Sequence, residues 1–232
     1  MKKLMTIAAA ALSVGLFAAP ASAATISFAD FAAGNEGGVD NSTFIDFGGV
    51  GIRFQAGARL SATSVDSNNF FFAYFDDVAN GLPAGVGVCR VLDGAAGTSA
   101  PGAQCDDAGD DCIDGDGQIR EAIQLFFDAP FDLRGISFRD GLHNPINDSL
   151  GMIEYAFIHN GGMLGTGTTT FANLVALVAA GTFAGTTAFQ LGYVDTEFYI
   201  ENISDVPIPG AIPLLLSGIA GLGFASRKKK TA

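Results

Sequence analysis

Tryptophan is absent from the 232-residue chain, and histidine occurs only twice, at His143 and His159. Without tryptophan the chain lacks a favoured stacking face for sugars, which leaves that task to Tyr74, Tyr155, Tyr193 and Tyr199. Two histidines make a zinc site only where the fold brings them together with carboxylates, and their spacing does not dictate that. Satisfied or solvent-exposed imidazoles are the expectation. Lysine is missing from the whole middle of the chain, since all five stand at Lys2, Lys3, Lys228, Lys229 and Lys230. Between residues 24 and 205, six arginines face all 24 acidic residues, a net charge of −18. Such a surface repels nucleic acid and anionic lipid, which excludes a nucleic-acid partner. It suits calcium or a saline medium in which repulsion is screened. No Gly-x-Ser-x-Gly elbow occurs, and Gly115-x-Gly117 sits among carboxylates that would repel a phosphate.

The two ends read as targeting segments. Lys2 and Lys3 precede an apolar stretch over 4–19, followed by Pro20-Ala21-Ser22-Ala23. A basic start, an apolar middle and small residues at the −3 and −1 positions describe a signal peptide over 1–23, cleaved after Ala23. At the other end Val206-Pro207-Ile208-Pro209-Gly210 leads into an apolar run, 210–226, and then Arg227-Lys228-Lys229-Lys230. That run is 17 residues long, the short end of what spans a bilayer as a helix, and the basic cluster after it acts as a stop that stays cytoplasmic. Residues 24–205 remain as one ectodomain, with no linker-like shift to divide it.

The tail over 206–232 resembles the PEP-CTERM sorting signals of Gram-negative bacteria, in their Val-Pro-Leu-Pro-Ala variant, with Ile208 for the usual Leu and Gly210 for the usual Ala. The resemblance implies export, a transient or C-terminal membrane anchor, and cutting near the proline motif by an exosortase-type processing enzyme. Its localisation is then the cell surface, the outer membrane or the extracellular matrix. The stretches Ala84-Gly85-Val86-Gly87-Val88-Cys89, Ile136-Ser137-Phe138-Arg139-Asp140-Gly141-Leu142-His143 and Glu197-Phe198-Tyr199-Ile200-Glu201-Asn202-Ile203 also look like ectodomains of that class. In such proteins an Asn often stands where Cys112 is, which implies that Cys112 is the odd thiol.

Three cysteines, Cys89, Cys105 and Cys112, allow one disulfide outside the cytoplasm. Cys89–Cys105 is favoured because it staples the Gly-, Ala- and Ser-rich loop between them. Cys112 lies among aspartates, where negative charge disfavours its thiolate. Cys89–Cys112 is the other pairing.

Residues 24–205 read as short strands and turns. Thr43-Phe44-Ile45-Asp46-Phe47, Gly48-Gly49 and Val50-Gly51-Ile52-Arg53-Phe54 spell a hairpin. Residues 59–65 and 69–75 are expected to pair. Phe70-Phe71-Phe72-Ala73-Tyr74-Phe75 is too aromatic to face water, which puts it mid-sheet with some rings under a covering loop. Strands are also expected over 118–127, 131–138, 151–158, 186–194 and 197–203. About ten strands predict an all-β fold, a β-sandwich of jelly-roll type. Residues 172–180 read as a helix capped by Thr170 and stopped by Gly181, although an Ala/Val/Leu strand would look similar.

The densest chemistry is the run 106–121, with seven carboxylates in 16 residues. Read as a twelve-residue calcium loop from Asp110, it has Asp at positions 1 and 5, Gly at 6 and Glu at 12. Cys112 at position 3, Gly117 at position 8 and no preceding helix argue against an EF-hand. A looser calcium site would draw on Asp110, Asp114, Asp116 and Glu121. The alternative is a solvated acidic loop. The leading reading is a non-enzymatic surface or matrix protein with a structural or adhesive role in biofilm or exopolysaccharide assembly, in contact with extracellular polysaccharide. The others are a calcium-dependent glycan-binding adhesin and a carbohydrate-active hydrolase. The last requires a cleft with two acids about 5–10 Å apart, and nothing in the chain singles out a pair.

Overall fold

The computed structural model describes residues 24–39, 41–61, 64–66, 71–79, 82–90, 105, 112–115, 119–146 and 151–205. Along them run β1 (Thr25–Ser27), α1 (Phe28–Ala32), β2 (Gly37–Val39), β3 (Ile45–Asp46), β4 (Gly51–Ser61), β5 (Ser64–Asp66), β6 (Phe72–Ala79) and β7 (Leu82–Cys89). Then follow β8 (Glu121–Phe131), β9 (Gly135–Arg139), β10 (Met152–His159), β11 (Gly162–Thr170), α2 (Phe171–Ala179), β12 (Thr186–Tyr193) and β13 (Tyr199–Ser204). The all-β expectation holds, in two antiparallel sheets. One has the order β1-β13-β7-β6-β2 with β9 on β13; the other has the order β11-β10-β12-β8-β4-β3 with β5 on β4.

Period-two alternation explains why the two sheets share one core. On β8, Ile123, Leu125 and Phe127 fall on one face and are buried. They meet Phe54, Phe157 and Phe189 of their own sheet and Phe75, Val86, Val88 and Ile200 of the other. Phenylalanine supplies the bulk that tryptophan does not. Phe28, at the head of α1, meets Phe47, Phe54 and Phe75 with centroids 5.4, 5.6 and 6.3 Å apart. A second group stacks Phe157 on Phe183 at 4.0 Å, and a third sets Phe138, Phe171 and Phe198 edge to face. Such pairs add roughly 0.5–1.5 kcal/mol each beyond their buried area.

Local chemistry sets the ends of the elements. In the β3–β4 hairpin the Phe47 amide donates to the Val50 carbonyl at 2.9 Å, and Gly48 and Gly49 take φ of 69° and 97°. The stretch at 172–180 is a helix: the Thr170 hydroxyl accepts from the Asn173 amide and Gly181 takes φ of 75°. Gly85 is where β13 crosses β7. A Cβ there would lie 2.2 Å from the Ile200 carbonyl oxygen, with φ at 126°. The two ends of the described domain meet, because β1 pairs with β13 and the Ala24 amide donates to Asp205 Oδ1 at 2.9 Å.

Several expected boundaries move. Residues 59–65 do not pair with 69–75; Arg59 faces Val65 in the β4–β5 hairpin, while β6 pairs with β7 in the other sheet. The strand expected over 131–138 is split, since β8 runs on through Pro130 to Phe131 and β9 starts at Gly135. β11 was not foreseen, because glycine and threonine leave it without apolar alternation. The aromatic run behaves as expected: Phe71 and Phe75 face the core, while Phe72 and Tyr74 lie under Cys105 on the opposite face. Cys89 is joined to Cys105, and Cys112 stays outside the disulfide, buried beside Ala84 and Tyr199.

Tyr74 donates to Glu36 Oε1 at 3.1 Å. Burial first, and then the Glu36 charge, push its phenol well above its ordinary 10.0. Because the folded value is the higher one, the contribution is complete below the unfolded value and fades as pH rises past it. The urea midpoint is therefore expected to fall above about pH 10, and Tyr74→Phe to flatten that fall; an equal slope in both proteins would contradict the assignment.

Candidate functional site

The acidic run is tied to the fold by an apolar anchor. Ile113, fully buried, makes a bridge with Phe198: its amide donates to the Phe198 carbonyl at 2.9 Å and the return bond is 3.2 Å. One residue on, the Asp114 amide donates to Glu121 Oε2 at 3.3 Å, and the Glu121 amide donates to the Asp114 carbonyl at 3.0 Å. These two bonds close the loop between 114 and 121. Of the four expected calcium ligands, the fold thus brings Asp114 and Glu121 together; Asp110 and Asp116 lie outside the described residues. Among the described residues no group of three or more His, Cys, Asp or Glu is placed to hold a metal.

Glu121 is not the surface carboxylate that its place in an acidic run implied. It is completely buried, on the same face of β8 as Ile123, Leu125 and Phe127. A solvated loop does not describe this residue. The signal was present in the alternation Glu121-x-Ile123-x-Leu125-x-Phe127, which puts the carboxylate at the end of an inward row.

Beside this loop lies a shallow pocket of about 290 Å³, lined by Asp140, Gly141, Leu142, Tyr193, Asp195, Thr196 and Glu197. Its volume is near the lower limit of ligand pockets, roughly 300–1,000 Å³. Gly115 packs on the Tyr193 ring so closely that a Cβ there would lie 2.4 Å from it. Two of the three carboxylates serve the backbone. Asp140 Oδ1 accepts from the amides of Leu142 and Asn144 at 2.9 and 2.8 Å, and Asp195 Oδ1 accepts from the Met152 amide at 2.7 Å. Glu197 is exposed at the rim, and Leu142 stands 72% exposed beside it. Carboxylate oxygens around a tyrosine ring can accept hydrogen bonds from hydroxyl groups or balance a cation.

A buried polar pair fixes the loop behind the pocket. His143, at φ 65°, turns its ring inward, with Nε2 2.8 Å from Asp76 Oδ2 and Nδ1 2.9 Å from the Leu82 carbonyl. The ring meets Tyr199 edge-on at 5.3 Å. Arg139 donates to the His143 carbonyl at 2.8 Å and pairs with Glu201. His159 sits elsewhere, at the β10–β11 turn, donating to the Gly185 carbonyl, so the two histidines belong to separate loops. His143 is thus satisfied rather than exposed. Its partner Asp76 escaped the sequence reading because the two come from strands and loops 67 positions apart. The sorting motif Val206, Pro207, Ile208, Pro209 and Gly210, the apolar run and Arg227, Lys228, Lys229 and Lys230 lie outside the described residues. No helix among the described residues is long and apolar enough to cross a membrane.

Replacing His143 with Ala leaves buried Asp76 without its imidazole and is expected to cost about 2–3 kcal/mol, read from urea midpoints, whereas Leu142→Ala at the exposed tip stays neutral. Equal stabilities would show that the pair contributes nothing. No family model matches the chain, and neither curated proteins nor solved structures give a match.

Proposed function

We infer that the chain is an exported surface or matrix protein, a β-sandwich ectodomain delivered by its two ends and processed by an exosortase-type enzyme. Its role is structural and adhesive, in exopolysaccharide or biofilm assembly. The observation that carries this reading is the three-part tail, Val206-Pro207-Ile208-Pro209-Gly210, the apolar 210–226 and the basic 227–230, behind a signal-peptide-like start. Two further features support it. The Cys89–Cys105 disulfide suits an oxidising compartment, and the net charge of −18 over 24–205 keeps an extracellular domain soluble.

Mass spectrometry of the chain from a host that carries the processing enzyme tests it. The expected product starts at Ala24 and ends near the proline motif, while Pro207→Ala with Pro209→Ala keeps the full tail and stays with the inner membrane. A native chain that keeps its tail, or a double variant processed like the native one, would refute the reading.

A calcium-stabilised form of the same role would draw its oxygens from Asp110, Asp114, Asp116 and Glu121; the Asp114 backbone bonded to Glu121 holds two of these residues side by side. Calorimetry and thermal melts with calcium or chelator are expected to show a melting temperature raised by micromolar-to-millimolar calcium, with the rise lost in Asp114→Asn, Asp116→Asn. Absence of heat and of any shift would reduce the run to a solvated loop.

A further inference from the structure

From Tyr155 to Val194 the chain carries no Asp, Glu, Lys or Arg, in a domain whose net charge is −18. That stretch builds β11, α2, β12 and all of β10 but its first three residues, where Glu154 lies opposite Thr168 and is paired with Arg59, at one corner of the second sheet. β11 is the edge of the sheet, paired with β10 alone, and among the described residues no strand lies on its outer side. Natural edges are guarded by lysine, proline, bulges or short length. β11 is nine residues long and has neither proline nor any charge; its one bulge is at Leu164, between Met163 opposite Ile158 and Gly165 opposite Phe157, and from Gly165 to Thr170 the strand runs regular. Its inward positions are already used: Gly165 makes room for the Phe183 ring and Gly167 for the Tyr155 ring. Its outward positions, Thr166 and Thr168, are exposed, and at its start Met163 and Leu164 are 49% and 38% exposed. Alongside, Thr169, Asn173, Ala176, Leu177 and Ala180 line a shallow uncharged groove between strand and helix.

We propose that β11 is a self-association edge, which pairs antiparallel with β11 of a second copy about a two-fold axis near Thr166. Charge selects the occupant. Two copies that each carry −18 repel one another over most approaches, and the uncharged corner lets their backbones come within hydrogen-bonding distance. A two-fold antiparallel pair is self-complementary, so every donor on one edge meets its acceptor on the other without charged side chains. The contact covers Met163 and Leu164. One strand and a helix flank bury less than the roughly 800 Å² per partner of a standard interface, so the dimer is weak and reversible. The same net charge makes it stronger in high salt, where repulsion is screened.

Sedimentation of the full chain in a mild detergent, at rising concentration in low and high salt, tests the proposal. The expected result is a reversible dimer favoured by salt and weakened about tenfold or more by Thr166→Lys, which sets like charges face to face at the axis, with the melting temperature unchanged. In parallel, Thr166→Cys is expected to give a disulfide-linked product of twice the chain mass under mild oxidation, and Leu142→Cys none. A monomer at every concentration in high salt, a dimer that the lysine leaves intact, or Thr166→Cys linked to a different chain would overturn it. If the lysine variant fails to fold, the cysteine pair decides alone.

Discussion

Phenylalanine rings packed between the two sheets are the contact on which everything else rests. A domain with net charge −18 tends to push itself apart, and its lack of lysine leaves few cations to offset that. The compensation lies in Phe54, Phe75, Phe157, Phe189 and their neighbours, all buried and drawn from both sheets. Arginine contributes locally, as Arg59 reaches Glu154 and Arg139 reaches Glu201, but each such pair is partly exposed and worth little by itself. Removing rings from that core would expose the electrostatic cost that they offset.

The same core holds one described part of the acidic run, Cys112 to Gly115. Ile113 and Phe198 are both completely buried and bridge backbone to backbone. That bridge positions the backbone of their chain neighbours Asp114 and Glu197. Glu121 carries this furthest, since it stands in an apolar row and its headgroup closes the loop onto Asp114.

Much of this was legible in the chain. The alternation in β8, the Gly48-Gly49 turn, the Thr170 cap with Gly181, and the Cys89–Cys105 pairing each follow from local rules, and each is found. What could not be read depends on which strands become neighbours. Residues 59–65 look like a partner for 69–75 by proximity, yet β4 turns back on itself and β6 joins the other sheet. The pocket shows the same limit. Asp140 comes from the loop after β9 and Asp195 and Glu197 from the turn before β13, so no spacing links them. Only Asp114 and Glu121, seven positions apart, were close enough for their meeting to be expected.

The meeting of Ala24 with Asp205 has a mechanical consequence. The first and last described residues share one corner, so a pull on Asp205 enters the domain at a single point. β13 runs from the Ile113–Phe198 bridge to that corner, at about 3.3 Å per residue. The Ile113–Phe198 bridge therefore stands roughly two nanometres away from that corner. Tension applied there peels β1 and β13 from their ends one hydrogen bond at a time, leaving the far end as the last part to feel the load.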